Sequence, residues 1–396
     1  MIAPYRFAVA PSGLKESLSA SAAADAIAEG LLRAAPGAEI DLLPLVDGGE
    51  GTAEALATAS GGRLVPRVAT GPVGVPVASH FALLDGTAVV EMAAVAGLSL
   101  VPRERRDPGA TTTYGVGELI AAALDTGVRR ILVGCGDSGT SDGGAGALQA
   151  LGARLLDAQG RELPRGGSAL LRLRRIDARG LDPRLAEAEI LVACNPFNVL
   201  CGPRGVARVF GPQKGAGPAL VEELSDALDH WADVLARDLG PVGIDLRTGA
   251  GTGASGGLGA GLAAVGARLL PRFDVLLDHV DLDARLARAD LVVTAEGALD
   301  RQSSRGKIPG EVARRAKALG TPVLALAGTI GEGVHEARLI GVDAWCGILP
   351  APVALPEALA RGGEFLADAA ERALRMVLLG SRLARAAGPA PSAARP

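Results

Sequence analysis

The order of apolar and polar positions divides the chain into three stretches. Residues 5–62 read as β-α-β-α: FAVAP is an apolar run of strand length, Ser17 or Ser19 opens a helix through Gly30, IDLLPL is a second strand, and another helix begins at Glu50. From 64 to 92 the pattern becomes short alternating runs, RLVPRVA, VPVASHFALL and TAVVEM, separated by TGPVG and DG, which is the turn chemistry of antiparallel pairing. The middle continues with a helix in TTTYGVGELIAAALDTG, the strand RRILVGC, a helix in DGGAGALQALGA and the strand AEAEILVACN. A polar helix over about 219–236 and a glycine loop running into a small-residue helix, TGAGTGASGGLGAGLAAVGARLL, complete it.

From roughly 280 the βα rhythm returns with ADLVVTAEG, PGEVARRAKALG, TPVLALAGTI, VHEARLIG and VDAWCGIL, then a helix to about 380. Consecutive β-α units require one parallel sheet. The pattern therefore predicts an α/β protein in which residues 1–62 plus 277–382 form a discontinuous, doubly wound domain. Residues 63–276 form a second α+β domain inserted into it, and residues 383–396 a flexible tail. An alternative boundary counts RRILVG with the first sheet.

Composition narrows the functional classes. The 396 residues are 48% hydrophobic and 21% charged, enough apolar material for two cores; the 55 glycines are clustered rather than periodic, which excludes collagen and disorder. Net charge is −4 without a basic stripe, which argues against nucleic acid and toward small-molecule partners. No apolar run reaches membrane-spanning length and MIAPYRFAVAPSG lacks the plan of an export signal, so a cytoplasmic location without membrane contact is expected. Cys135, Cys194, Cys201 and Cys346 form no C-x-x-C pair and are expected to be reduced; His80, His230, His279 and His335 lack zinc-ligand spacing.

Rare residues mark the chemistry. Of 40 Lys and Arg only Lys15, Lys214, Lys307 and Lys317 are lysine, and the first three sit in APSGLKESLSA, FGPQKGAG and SSRGKIPG. A compact ammonium suits a crowded phosphate site where a guanidinium fork does not. The only asparagines, Asn195 and Asn198, share the segment ACNPFNVLCGPRG, where Asn-Pro also has a plain reading as a turn opener.

In open α/β sheets ligands bind beyond the carboxyl ends of the strands. Here those ends carry Ser12 and Lys15; Asp47, Gly48 and Gly49; and Glu296, Asp300, Gln302 and Lys307, all expected at one edge. Two glycine segments, one with Gly136, Asp137, Ser138, Asp142, Gly143 and Gly144 and one with Gly253, Gly256 and Gly257, are expected to offer backbone N–H groups to an anion. Lysines, N–H cradles and carboxylates together are what phosphoryl transfer to a small acceptor needs. G-x-G-x-x-G occurs at 134–139 and 251–256, so a dinucleotide-dependent dehydrogenase with Asp157 on the ribose is a competing reading, as is a non-catalytic nucleotide sensor. No G-x-x-x-x-G-K-[ST] is present.

The motifs APSGLKESLSA, PLVDGGEGT, EMAAVAGL, TTTYGVGELI, GCGDSGTSDGGAGALQALGA, FGPQKGA, GASGGLGAGL and AEGALDRQSSRGK resemble those of the bacterial type I glycerate kinase family over almost the whole chain. The resemblance implies a two-domain fold with a discontinuous flavodoxin-like part, and ATP-dependent phosphorylation of D-glycerate with Mg²⁺, usually at the 2-hydroxyl. Phosphorylation at the 3-hydroxyl or of a related hydroxy acid is the alternative, and a homodimer is left open. Three positions depart from the family pattern: Ser12 and Asn195 stand where it carries Asp, and Asp137 where it carries Gly. We expect these loops to meet, with Asp137 restoring negative charge for Mg²⁺. Asp47 is the expected general base, with Asp142 and Asp300 as rivals. Lys214 and Lys307 are assigned to phosphate oxygens and Lys15 to phosphate or the substrate carboxylate. Glu296 and Asp142, with Asp137 and Asn195, are the metal candidates. Ser12, Asn198, Gln302 and the loop glycines are assigned to phosphate or substrate.

Overall fold

The computed structural model describes residues 4–386 except 15, 241–242, 278–280, 302 and 304–305. The expectations for Lys15 and Gln302, and for the tail beyond 386, lie outside the described residues. Residues 383–386, expected in that tail, instead end the helix Gly362–Ala386. Thirteen strands are described: β1 (Arg6–Val9), β2 (Glu39–Leu42), β3 (Arg63–Thr70), β4 (Pro76–Leu83), β5 (Thr87–Glu91), β6 (Arg130–Gly134), β7 (Arg154–Leu156), β8 (Arg175–Asp177), β9 (Glu189–Cys194), β10 (Arg268–Pro271), β11 (Leu291–Leu299), β12 (Val323–Ile330) and β13 (Ala344–Gly347). The chain divides into two compact units, Met1–Val46 with Leu277–Pro396, and Asp47–Leu276.

The first unit is a five-stranded, all-parallel sheet in the order β13-β12-β11-β1-β2. Counted along this unit alone the order is 2-1-3-4-5, the flavodoxin-like arrangement, whose switch point falls between β1 and β11. Phe7, Val9, Leu291, Val293, Leu324 and Leu326 form its core with Ile27 and Leu31 of the helix Ala20–Ala34 and with Phe365, Leu366 and Ala370 of the helix Gly362–Ala386. Ser19 caps the first of these helices, its Oγ accepting from Ala22 N at 3.1 Å. Gly30 is needed where the two helices meet, because an added Cβ would lie 2.9 Å from Ala370 Cβ and closer still to the Ala367 carbonyl.

The second unit, expected as α+β, has a six-stranded mixed sheet in the order β10-β9-β6-β5-β4-β3. β3, β4 and β5 pair antiparallel, as the alternating runs require, whereas β5, β6, β9 and β10 are parallel. The segment 47–62, expected with the terminal sheet, belongs to this second unit. Its helix Thr52–Ser60 buries Ala53, Leu56 and Ala57 against Ala82, Val89, Leu132, Leu191 and Ala193. β7 and β8 form a separate antiparallel pair.

Candidate functional site

In the first unit, functional side chains gather at the carboxyl ends of β1 and β11, beside the switch point. Ser12 N and Oγ both donate to Ala295 O, at 2.9 and 3.0 Å, which ties the loop after β1 to β11. The next residue, Glu296, is buried and its carboxylate lies 3.3 Å from Lys307 Nζ; Ser303 Oγ donates to its other oxygen. Asp300 is 3.9 Å from the same ammonium, and its N–H donates to Ser303 Oγ at 3.1 Å. Burial pushes the Glu296 carboxyl up, while the Lys307 charge and the Ser303 hydroxyl pull it down. Lys307 is about one-third exposed and precedes the helix Ile308–Leu319. This arrangement sets one amine between two carboxylates beside the loop that follows β1.

In the second unit the parallel strands end on one edge. Register pairs Glu91 with Gly134, Gly134 with Ala193, and Cys194 with Pro271, so Glu91, the loop after β6, Asn195 and Arg272 follow one another along it. The segment Asp47–Gly51 lies over this edge glycine on glycine. A Cβ at Gly48 (φ +87°) would sit 3.0 Å from Cys135 N, and one at Gly136 would meet Gly49 at 2.6 Å. The buried Arg272 guanidinium holds Asp47 twice, at 2.9 Å to Oδ2 and 3.0 Å to the carbonyl, while Asp47 Oδ1 accepts from Gly49 N at 3.3 Å. Asp137 Oδ2 accepts from Glu50 N at 3.1 Å, and Glu91 accepts from Gly51 N and Ala53 N.

Behind this edge lies Lys214, only 2% exposed, whose Nζ donates to Ser138 Oγ at 2.9 Å and to Thr140 O at 2.5 Å. Burial pushes its amine down to about 7 against the attraction of Asp142. Asp142 is fully buried and accepts from Thr113 N, Thr113 Oγ1, Gly144 N and Gly146 N. Burial raises its carboxyl while those four donors oppose the shift. With both oxygens saturated, Asp142 braces the loop, and its expected role as metal ligand or base is corrected accordingly.

The two glycine segments correct an expectation at four positions, whose N–H groups are spent inside the protein: Gly143 N on Gly256 O, Gly144 N on Asp142, Gly253 N on Asn198 O, and Gly257 N on Gly253 O. What glycine supplies here is close approach. Gly143 packs on Trp231, Gly144 on Leu258 and Gly261, Gly253 on Val199, Gly256 on Thr140, and Gly257 on Gly143. Among the described residues no group of three or more His, Cys, Asp or Glu is placed to hold a metal by itself, and no helix is long and apolar enough to cross a membrane.

A family model described as the glycerate kinase family matches residues 7–378. Over 380 residues the chain is 44% identical to glycerate kinase of Bacillus subtilis (strain 168), covering 95% of this chain and 98% of that one. It is 42% identical to glycerate 2-kinase of Escherichia coli (strain K12), covering 95% and 99%. The crystal structure of a glycerate kinase 2 candidate from Salmonella typhimurium LT2 superposes with a TM-score of 0.75 at 43% identity, covering 96% of this chain and all of that one. The chain belongs to the glycerate kinase family. It is by that membership an ATP-dependent kinase.

Within this kinase the departures from the family pattern have local explanations. Asp137 sits at φ +49°, a left-handed conformation that suits the Gly expected there; its carboxylate offsets the strain by accepting from Glu50 N. Asn195 Oδ1 accepts from Phe197 N at 3.0 Å, the turn chemistry that Asn-Pro also allowed. Asn198 joins the same turn through its N–H, donated to Asn195 O. Asp157, the ribose candidate of the dehydrogenase reading, is spent in a tight turn, accepting from Gln159 N and Arg161 N. Glu91 and Arg272 were not expected from sequence. Each is a single residue at a strand end, and only the cross-strand register brings Arg272 to Asp47 and Glu91 to the Gly51 and Ala53 N–H groups that follow it.

Proposed function

We propose that this kinase transfers the γ-phosphoryl group of ATP to the 2-hydroxyl of D-glycerate, giving 2-phosphoglycerate and ADP. The observation that carries this reading is the buried Lys214 amine, anchored by Ser138 and Thr140 behind a strand edge that presents Asp47. The hydroxyl oxygen forms the new bond to the γ-phosphorus as the bond from phosphorus to the β–γ bridging oxygen breaks; the hydroxyl proton passes to Asp47. Arg272 fixes that carboxylate, and because the transfer is loose, orientation of the acceptor outweighs base strength. Lys214 and Lys307 supply positive charge to phosphate oxygens.

Magnesium binds through one or two carboxylates together with phosphate oxygens and water. Glu296 and Asp300, flanking Lys307, are a donor set of that kind. An ion held there would supply positive charge to phosphate oxygens, and Lys307 offsets the mutual repulsion of the two carboxylates. Lys307→Met is expected to lower kcat/KM for ATP by about 10- to 100-fold with the fold intact. Near-normal kinetics in that variant would remove Lys307 from the site.

A related hydroxy acid is the second reading, favoured by Ser12 and Asn195 standing where the family pattern has Asp. The test is ADP release with D-glycerate and Mg²⁺, with the product passed to enolase in the absence of a mutase. Enolase-competent product is expected. ADP without it means 3-phosphorylation, and no ADP at all moves the search to other hydroxy acids.

A further inference from the structure

Glu91 ends β5 and is only 2% exposed, yet none of the roles above uses it. Its Oε1 accepts from Gly51 N at 3.1 Å and its Oε2 from Ala53 N at 3.0 Å. Those donors open the helix Thr52–Ser60 and follow Asp47 by four and six residues. A helix start is ordinarily capped by a short polar side chain of its own segment. Here a long acid from another strand does it, 38 positions away from Ala53, although the charged groups acting on it, Glu50 on the loop and Asp137 beyond β6, are both acidic. Burying a carboxylate in such company is costly, and what the cost secures is the backbone of the loop that presents Asp47.

We propose that Glu91 is a positioning residue for Asp47: ionised, it ties the Gly51 and Ala53 N–H groups to the end of β5 and fixes the Asp47 carboxylate; protonated, it loses an acceptor and the loop loosens. The assignment rests on Asp47 as the proton acceptor of the proposed reaction. Burial, reinforced by Glu50 and Asp137 and opposed by the two N–H bonds, pushes the Glu91 carboxyl up to about 7. Two pH trends of opposite sign follow. Turnover rises as pH climbs through about 7 and the ionised form fills. The stability contribution, complete below the ordinary glutamate value because the folded state holds the proton more tightly, is lost as pH rises through about 7.

Glu91→Gln keeps the shape but turns an amide donor toward a backbone N–H. It is expected to lower kcat by about 10- to 100-fold, as loss of a supporting partner does, to leave KM for ATP within twofold, and to erase the kcat limb near pH 7. A kcat within twofold of wild type with that limb retained overturns the proposal. Hydrogen exchange of the wild-type segment 47–55, corrected for intrinsic rates, is a measurement that needs no variant. Protection is expected to drop below pH 7, and unchanged protection across that range overturns the proposal as well. Asp47→Asn separates the two readings. A variant with wild-type kcat removes Asp47 from the reaction, and with it the Glu91 assignment, even if the exchange result stands. An inactive Asp47→Asn beside an unaffected Glu91→Gln removes Glu91 alone.

Discussion

Lys214→Met is expected to cut kcat by about 10³-fold while the protein stays folded, since loss of a fixed cation aimed at developing phosphate charge costs rates of that order. The amine is 2% exposed and held by Ser138 Oγ and Thr140 O, so it cannot be replaced by a neighbouring side chain swinging in. Lys214→Arg is not expected to rescue, because a planar fork does not fit where a single Nζ reaches two oxygens in a closed core. Stability gives an independent readout. Burial lowers this amine to about 7, so the cost of the buried charge is complete below that pH and fades as pH rises toward the ordinary lysine range. The Met variant lacks that cost. Its melting temperature should match or exceed wild type at pH 6, and its stability should change less between pH 7 and 10. In the wild type, kcat/KM for ATP should decline above about pH 7 as the free amine loses its charge. A Met variant with wild-type kcat would detach Lys214 from the reaction whatever its stability.

The βα rhythm of the terminal segments was legible because parallel strands buried on both faces read as short apolar runs between amphipathic helices. The order β13-β12-β11-β1-β2 is supplied by the structure, because membership of one parallel sheet does not by itself fix which strands are neighbours. What periodicity does not carry is the identity of the sheet a helix packs on. Ala53, Leu56 and Ala57 mark one face of the helix Thr52–Ser60, and nothing in their spacing distinguishes the terminal sheet from Ala82, Val89 and Leu132. The boundary therefore fell at residue 46 rather than 62.

The site divides along the same line. Scarcity singled out Lys214 and Lys307, because an Arg-rich chain keeps lysine where shape matters. Glycine was ambiguous. A segment such as GCGDSGTSDGG satisfies an anion cradle and a tight backbone contact equally well, and only the destination of each N–H separates them. Gly143, Gly144, Gly253 and Gly257 donate inward. Glu91 and Arg272 were invisible for a different reason: their meaning comes from register across β5, β6, β9 and β10, which a linear pattern does not contain.

Gly256→Ala is the change expected to reduce stability most, by about 2–5 kcal/mol. Gly256 holds φ +70° inside the segment Ala254–Ala264, where a side chain costs about 1–2 kcal/mol. Its Cβ would also be driven into the Thr140 carbonyl group, 2.7 Å from the carbon, with Ser141 Cα at 3.0 Å, and overpacking against such atoms adds about 1–3 kcal/mol. The obstacle is backbone, which has no rotamer to yield. Gly143 N donates to Gly256 O at 2.9 Å, so the displaced segment also strains the loop after β6. Thr140 O is the acceptor that anchors Lys214 Nζ, and shifting it moves the amine. Stability and catalysis should therefore fall together in this variant: urea midpoint down, and kcat down even at temperatures where the protein is fully folded. Gly37→Ala, where an added Cβ meets nothing within 4 Å, is the control and should change neither. If Gly256→Ala loses less than about 1 kcal/mol, the two glycine segments do not press on one another and the anchoring of Lys214 through Thr140 loses its support.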